Sequence, residues 1–445
     1  MKKRESLASG AALLCFVNLF SQSLGFAYRV WLSRLVDAQT LGLFSLIMPV
    51  YSVMMSLCVS GFTVAVSRQV AGYTALGNEQ AVKRTVRVGL MGCILMTVSF
   101  SFCLAPFSDA VSVHLLGDAR TRLGLLLLLP CMLLTAWENV HKNYFYGRKN
   151  VIPPAISELL EQVTRTAAIL GLLYIIRPAG QENSVGLMVL GMIISEVFSA
   201  SLLTYLFRRS RRKVGLSGVP ENGMRGQILR IAAPVALANV CVNLIGSVNS
   251  VIIPGRLIVS GVAPSEALSA YGVAFGMTMP LLGLPMALVV AVSLVMIPRV
   301  SEAVALKDMA ALKSKVKAAL MMTSFIVTPM SVFLILYGRK ISVALFKNPN
   351  AGAYMMPLTI ATAFACFEYV LHSLLNGMGR QKQAAANMVA AGIIQLAVTY
   401  LAVARPELRL MGFVWAYIAG NIIGTGLNLI DLVKKDKPYR PSPSK

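Results

Sequence analysis

The stretch "SQSLGFAYRVWLSRL", residues 21–35, closes an apolar run that opens at Leu7, and Arg29 sits inside it. A helix of roughly 20 apolar residues spans the hydrocarbon core of a bilayer, so this run reads as a membrane span carrying a charge. The rest of the chain is built the same way. It has 445 residues, 56% of them hydrophobic and 13% charged, with a mean hydropathy of +0.70. Ordinary soluble domains carry roughly 25% charged residues. An all-α polytopic membrane protein is expected.

Twelve spans are predicted, near residues 7–32, 41–66, 85–106, 122–145, 154–176, 184–207, 228–252, 267–296, 314–337, 353–375, 384–403 and 410–430. The eighth is long for one helix, and Pro280 and Pro285 are placed to bend or break it. Pro49 in the second span is a third hinge candidate.

The formal net charge is +23, yet its distribution argues against a nucleic-acid partner. With the N-terminus inside, cytoplasmic segments with their flanking helix ends collect 28 of the 41 Lys and Arg. That bias is the positive-inside rule, and it puts both termini in the cytoplasm of a cell-membrane protein. The basic excess then meets anionic lipid headgroups. The seven cysteines fall in or at the ends of spans with no CxxC pair, which reads as apolar packing rather than a disulfide framework or metal site.

A weak duplication organises the chain. Val17-Asn18-Leu19 in span one recurs as Val242-Asn243-Leu244 in span seven. Phe44 with Met48-Pro49 recurs as Phe275 with Met279-Pro280, and Arg68 recurs as Arg299 at the same offset. Glu138, Val140 and Gly147 recur as Glu368, Val370 and Gly377, one position short of that offset. Six spans per copy is an even number, so the copies enter the membrane alike, as parallel repeats do. The expected organisation is an N-terminal six-helix lobe (1–207), a basic cytoplasmic linker (208–226), a C-terminal six-helix lobe (227–436) and a cytoplasmic tail (437–445). Two bundles joined by a flexible stretch suit a rocking transporter.

Catalytic and nucleotide motifs do not appear. There is no GxxxxGK[ST] loop, no GxSxG, and the three histidines are not at metal-ligand spacing. The reading is a non-enzyme with no cofactor and no metal, whose motion draws on a Na+ or H+ gradient, the membrane potential or the substrate's own gradient.

A charge at the centre of a span costs about 2.5–3.5 kcal/mol on insertion scales, so such residues face a bundle interior or a wet cavity. In span five, Pro153-Pro154 starts a helix in which Glu158, Glu161, Gln162 and Arg165 share one face. Two readings stand: a Glu161–Arg165 pair that joins helices, or a stripe lining a solvated cavity. In span one, Asn18, Gln22, Gly25 and Arg29 form a second one-sided stripe, either lining a cavity or letting Arg29 reach the interface. Span seven carries the uncharged counterpart, Asn239, Asn243, Gly246 and Ser247. Glu138, Glu196 and Glu368 complete the set of carboxylates in spans, for cation coupling or for local hydrogen bonding.

The run "SQSLGFAYRVWLSRLV…TLGLFSLIMPVYSVMMSLCVSGFTVAVSRQVA", with "MPLLGLPMALVVAVSLVMIPRVSEA" and "LLNGMGRQKQAAAN" further on, resembles the stage V sporulation protein B group. That group belongs to the multidrug/oligosaccharidyl-lipid/polysaccharide flippase superfamily, alongside the lipid II flippases (MurJ) and the MATE multidrug exporters. The resemblance implies a V of two six-helix lobes around a central cavity, a monomer, and a role in cell-wall, peptidoglycan or spore polysaccharide assembly. Cationic side chains of the flippase cavity hold the diphosphate of a polyprenyl-linked sugar. Against the flippase pattern S-R-x-L-G-F-x-R-D, Ser21, Leu24, Gly25 and Phe26 match. Gln22 stands for the first arginine, Tyr28 for the second, and Arg29 lies one place on. The second-helix arginine has no match near Met54, and span seven has asparagines where a sodium-site aspartate is expected. The segment after span twelve is too short for the extra helix pair of the lipid II flippases.

The resemblance implies export of a lipid-linked oligosaccharide, with Arg29 and Arg165 drawing the diphosphate and Gln22, Asn18 and Asn243 bonding sugars. The carboxylates Glu138, Glu158, Glu161, Glu196 and Glu368 are the coupling candidates. A cation-coupled MATE-type antiporter and a non-transport membrane scaffold are the alternatives.

Overall fold

The computed structural model describes residues 2–212, 223–306 and 308–433. A lipid core offers no water to backbone N–H and C=O groups, so a spanning chain satisfies them within helices. Among the described residues there is no strand, and twelve long helices carry the fold. They are α1 (Lys2–Leu35), α2 (Ala38–Ala75), α3 (Glu79–Leu104), α4 (Arg122–Gly147), α5 (Ile152–Ile176), α6 (Gln181–Arg212), α7 (Met224–Val259), α8 (Pro264–Val304), α9 (Met309–Phe346), α10 (Met355–Gly377), α11 (Gln381–Val403) and α12 (Leu410–Val433). Among the described residues, α2 to α12 are long and apolar enough to cross a membrane. The all-α polytopic class expected from the sequence is therefore correct. The centre of the 208–226 linker and the 437–445 tail lie outside the described residues.

Local chemistry sets the helix ends. The Asp37 carboxylate accepts from the Thr40 backbone N–H at 3.0 Å, Asn78 from Ala81 at 2.9 Å, and Asp308 from Ala311 at 2.9 Å. Each thereby satisfies a donor that a first helical turn leaves open. The prolines 153 and 154 open α5, where a missing N–H costs nothing.

Two helices widen to π-type turns inside the membrane. In α2 the widened stretch is Ser56–Ser60, and in α8 it is Gly272–Thr278, directly before Pro280. Pro280 has no N–H for the carbonyl at 276, which lies inside that stretch, so the ladder loosens there. At Pro285 the helix runs on unbroken. Pro49 is accommodated within α2.

The helices gather into two compact units. One holds residues 1–251 with 268–272, the other 252–267 with 273–445, so α7 contributes to both. In the first unit, Val59, Phe62, Val66 and Val70 of α2 pack with Val82 and Val86 of α3, Val140 and Tyr144 of α4, and Ile228 and Ala232 of α7. In the second, Val289, Met296 and Val300 of α8 pack with Val316 and Val327 of α9 and Cys366, Val370 and Leu374 of α10. Lipid gives helices no hydrophobic reason to associate, so close approach at small residues matters. A Cβ on Gly61 would lie 2.1 Å from the Ala232 carbonyl oxygen of α7, and one on Gly147 2.7 Å from that of Ser67. Large apolar side chains such as Phe102 and Phe325 are about 80% exposed, as lipid-facing positions are.

Candidate functional site

The first unit holds a buried five-group charge network on α4, α5 and α6. Glu138 and Lys142 lie one turn apart on α4, and Lys142 Nζ is 2.6 Å from Glu138 Oε1. The same ammonium reaches Glu161 Oε2 of α5 at 3.2 Å. Glu161 also pairs with Arg165, one turn further along α5. Arg165 Nη2 continues to Glu196 Oε1 of α6 at 3.0 Å, and its Nε donates to Ser195 Oγ at 3.3 Å. Ser199 donates to Glu138 Oε1 at 2.6 Å and shares a 2.7 Å hydrogen bond with Ser157. Glu138, Glu161 and Glu196 are all buried, with carboxylate oxygens within 4.8 Å of one another.

The count of charges is uneven. Two cations face three carboxylates, leaving one negative charge that a proton or one monovalent cation balances. Lys142 and Arg165 contact Glu138 Oε1, both oxygens of Glu161 and Glu196 Oε1, and their two positive charges work against a divalent metal here. Among the described residues, one oxygen, Glu196 Oε2, is buried with no hydrogen-bond partner. It is the atom of the network to which a proton or small ion would add.

The stripes expected on spans one and five meet. A Cβ on Gly25 of α1 would lie 3.3 Å from the Gln162 amide nitrogen of α5, so the two polar faces share a seam. Gln22 and Arg29 flank that contact on α1 and are exposed. Among the described residues the Arg29 guanidinium makes no ion pair. Tyr28 beside it is buried, and its hydroxyl has no hydrogen-bond partner among the described residues. The phenol lies within electrostatic reach of both Arg29 and Arg165. Asn18 is on the same helix, with its side chain outside the described set.

The remaining candidates are placed differently from one another. Arg165 is engaged by two glutamates and a serine, so it is not a free phosphate ligand in this arrangement. Asn243 of α7 donates to Ser56 Oγ at 2.7 Å and to its own helix at Asn239. Ser247 donates to the Pro49 carbonyl at 3.1 Å. These amide and hydroxyl groups thus bind α2 between Pro49 and its widened turn, which engages the nitrogen that a sugar hydroxyl would need. Glu158 is half-buried and makes no ion pair among the described residues.

The second unit carries a related cluster whose glutamate has an uncharged partner. Asn428 of α12 donates to Glu368 Oε1 of α10 at 3.2 Å. Asn387 of α11 donates to Asn428 at 3.0 Å and to the Asp431 carboxylate at 2.9 Å. Glu368 and His372 stand at the repeat positions of Glu138 and Lys142. The repeat has kept a glutamate on the fourth helix of each copy and changed its companions.

Sequence reasoning missed Lys142 and the serines 157, 195 and 199. The i, i+4 spacing of Glu138 and Lys142 was the available signal. Nothing in one dimension announced Asn387, Asn428 and Asp431.

Comparison with known proteins places this arrangement. Over 437 residues the chain is 23% identical to the stage V sporulation protein B of Bacillus subtilis (strain 168), covering 97% of this chain and 84% of that protein. It is 22% identical to the lipid II flippase MurJ of the same organism, covering 95% and 80%. A multidrug resistance MATE family transporter of the MOP superfamily, solved in an inward-facing conformation, superposes with a TM-score of 0.75 at 16% identity, covering 94% of this chain and 98% of that one. The chain therefore has that transporter fold. Residues 276–441 match the lipid II flippase MurJ model. Residues 7–304, from the first span into the eighth and well over half of the chain, match the model of the polysaccharide biosynthesis proteins, and the chain belongs to that family.

Proposed function

We propose that this protein is a flippase that carries a polyprenyl-diphosphate-linked sugar across the cytoplasmic membrane. Its family and its likeness along the whole chain to a lipid II flippase support the cargo class. The observation that carries the reading is Arg29, an exposed residue without an ion-pair partner among the described residues, set in an apolar helix two turns from Gln22. A guanidinium presents paired donors that match phosphate oxygens, and charge-assisted hydrogen bonds are about twice as strong as neutral ones. An unpaired cation in a span is costly to insert, so its retention calls for an anionic partner. Arg29 is therefore the diphosphate ligand, and Gln22 offers the first hydrogen bond beyond it.

The Glu138–Lys142–Glu161–Arg165–Glu196 network is then the coupling element. Its odd charge is balanced by a proton or Na+, and gain or loss of that cation resets the helices it joins. Both termini are cytoplasmic on the charge bias of the loops.

The test is complementation of a strain depleted of its lipid II flippase. The wild-type chain restores growth, and Arg29→Gln at equal membrane abundance does not. A second reading, a MATE-type antiporter, draws on the fold match and the acidic network. Rescue of a drug-hypersensitive host without rescue of the flippase-depleted strain would replace the first reading with this one.

A further inference from the structure

Away from the charge network, the first unit has a cavity of about 800 Å3 at the loop end of α3 and the start of α7. Lys83, Arg84 and Arg87 of α3 and Arg225 of α7 line it, with Gln80 and, among the described residues, no carboxylate. None of the four cations has an ion-pair partner among the described residues. On α3 the nearest acid in sequence, Glu79, is occupied by Arg148. Met224 holds the rim together: it is buried, and its sulfur accepts from Thr85 Oγ1 of α3 at 3.4 Å. Four like charges gathered in one concavity repel each other, and an anion relieves that repulsion.

The helix face says which anion. Arg84 and Arg87 continue along α3, at spacings of three and four, into Met91 (61% exposed), Leu95 (68%), Val98 (48%) and Phe102 (80%). One stripe of a single helix is thus cationic at its loop end and apolar for the turns beyond it. That order, a basic recess followed by an outward apolar track, matches a phospholipid lying along the helix.

We propose that this recess binds the phosphate headgroup of an anionic phospholipid, with its acyl chains along Met91, Leu95, Val98 and Phe102. On the loop-charge orientation the lipid comes from the inner leaflet. Basic pockets between spanning helices on the cytoplasmic side are chemically suited to such headgroups. The site is independent of the cargo reading, since it uses none of the same residues. In the second unit, Lys313 and Lys317 stand at the repeat positions of Lys83 and Arg87, which makes them a matched control for charge alone.

Native mass spectrometry of the full chain tests this, titrating phosphatidylglycerol and phosphatidylethanolamine of identical acyl chains. The wild type retains phosphatidylglycerol preferentially, and the K83Q/R84Q/R87Q/R225Q variant binds it at least tenfold more weakly. The charge-keeping R84K/R87K/R225K variant holds within threefold of wild type, which separates lost charge from lost fold. Millimolar inorganic phosphate leaves the lipid bound. Equal retention by the neutralised variant would overturn the proposal. So would an equal loss in K313Q/K315Q/K317Q, which makes charge alone sufficient. Displacement of the lipid by inorganic phosphate would overturn it too, making the recess a site for a soluble anion.

Discussion

Arg165 on α5 and Glu196 on α6 are joined across helices at 3.0 Å, and this contact closes a chain of ion pairs that begins at Glu138 on α4. Removing one partner from a buried pair strands the other. Arg165→Ala leaves Glu196 without a cationic partner and Glu161 with Lys142 alone, at a cost of about 3–5 kcal/mol. Thermal stability of the detergent-solubilised protein falls sharply, and Arg165→Met with Glu196→Gln recovers part of the loss.

Glu196→Gln has the opposite expectation. It brings the network to two cations and two carboxylates while keeping an oxygen for Arg165 to donate to. Stability stays within about 1 kcal/mol of wild type, because the like-charge repulsion goes with the lost charge. Transport driven by an ion gradient is abolished. A thermal melt and a gradient-driven uptake assay on one preparation separate the two effects.

The hydrogen bond from Asn243 to Ser56 links α7 to the widened turn of α2. A double-mutant cycle of Asn243→Ala and Ser56→Ala reports a coupling of about 1 kcal/mol. Strict additivity would show that the amide makes no such bond in the folded protein.

Gly61 fits against the Ala232 carbonyl of α7, with no room for a methyl group. Gly61→Ala pushes the helices apart and costs about 1–3 kcal/mol. Gly72 on the same helix has nothing nearby, so Gly72→Ala is neutral or mildly stabilising. Paired melting curves check the contrast.

The spans were legible because a bilayer forces helices of a set length, and hydropathy reports that length directly. The polar faces of α1 and α5 were legible for a related reason: one-sided spacing shows which residues share a face. What those faces touch was not. Arg165 with Glu161 was readable at i, i+4, but Glu196 comes from the next helix, and only packing brings it in. Lys142 was obscured by its place near a helix end, where a cation costs little and calls for no partner. Asn243 had the spacing of a lining residue, and the stripe gave no sign that α2 would take its amide.

The most direct measurement of the central claim is transbilayer movement of a fluorescent polyprenyl-diphosphate sugar in proteoliposomes. The wild-type protein moves the lipid faster than protein-free vesicles, and Arg29→Gln slows it at least tenfold with unchanged reconstitution. Equal rates for Arg29→Gln and wild type, or a wild-type rate no faster than empty vesicles, would contradict the account.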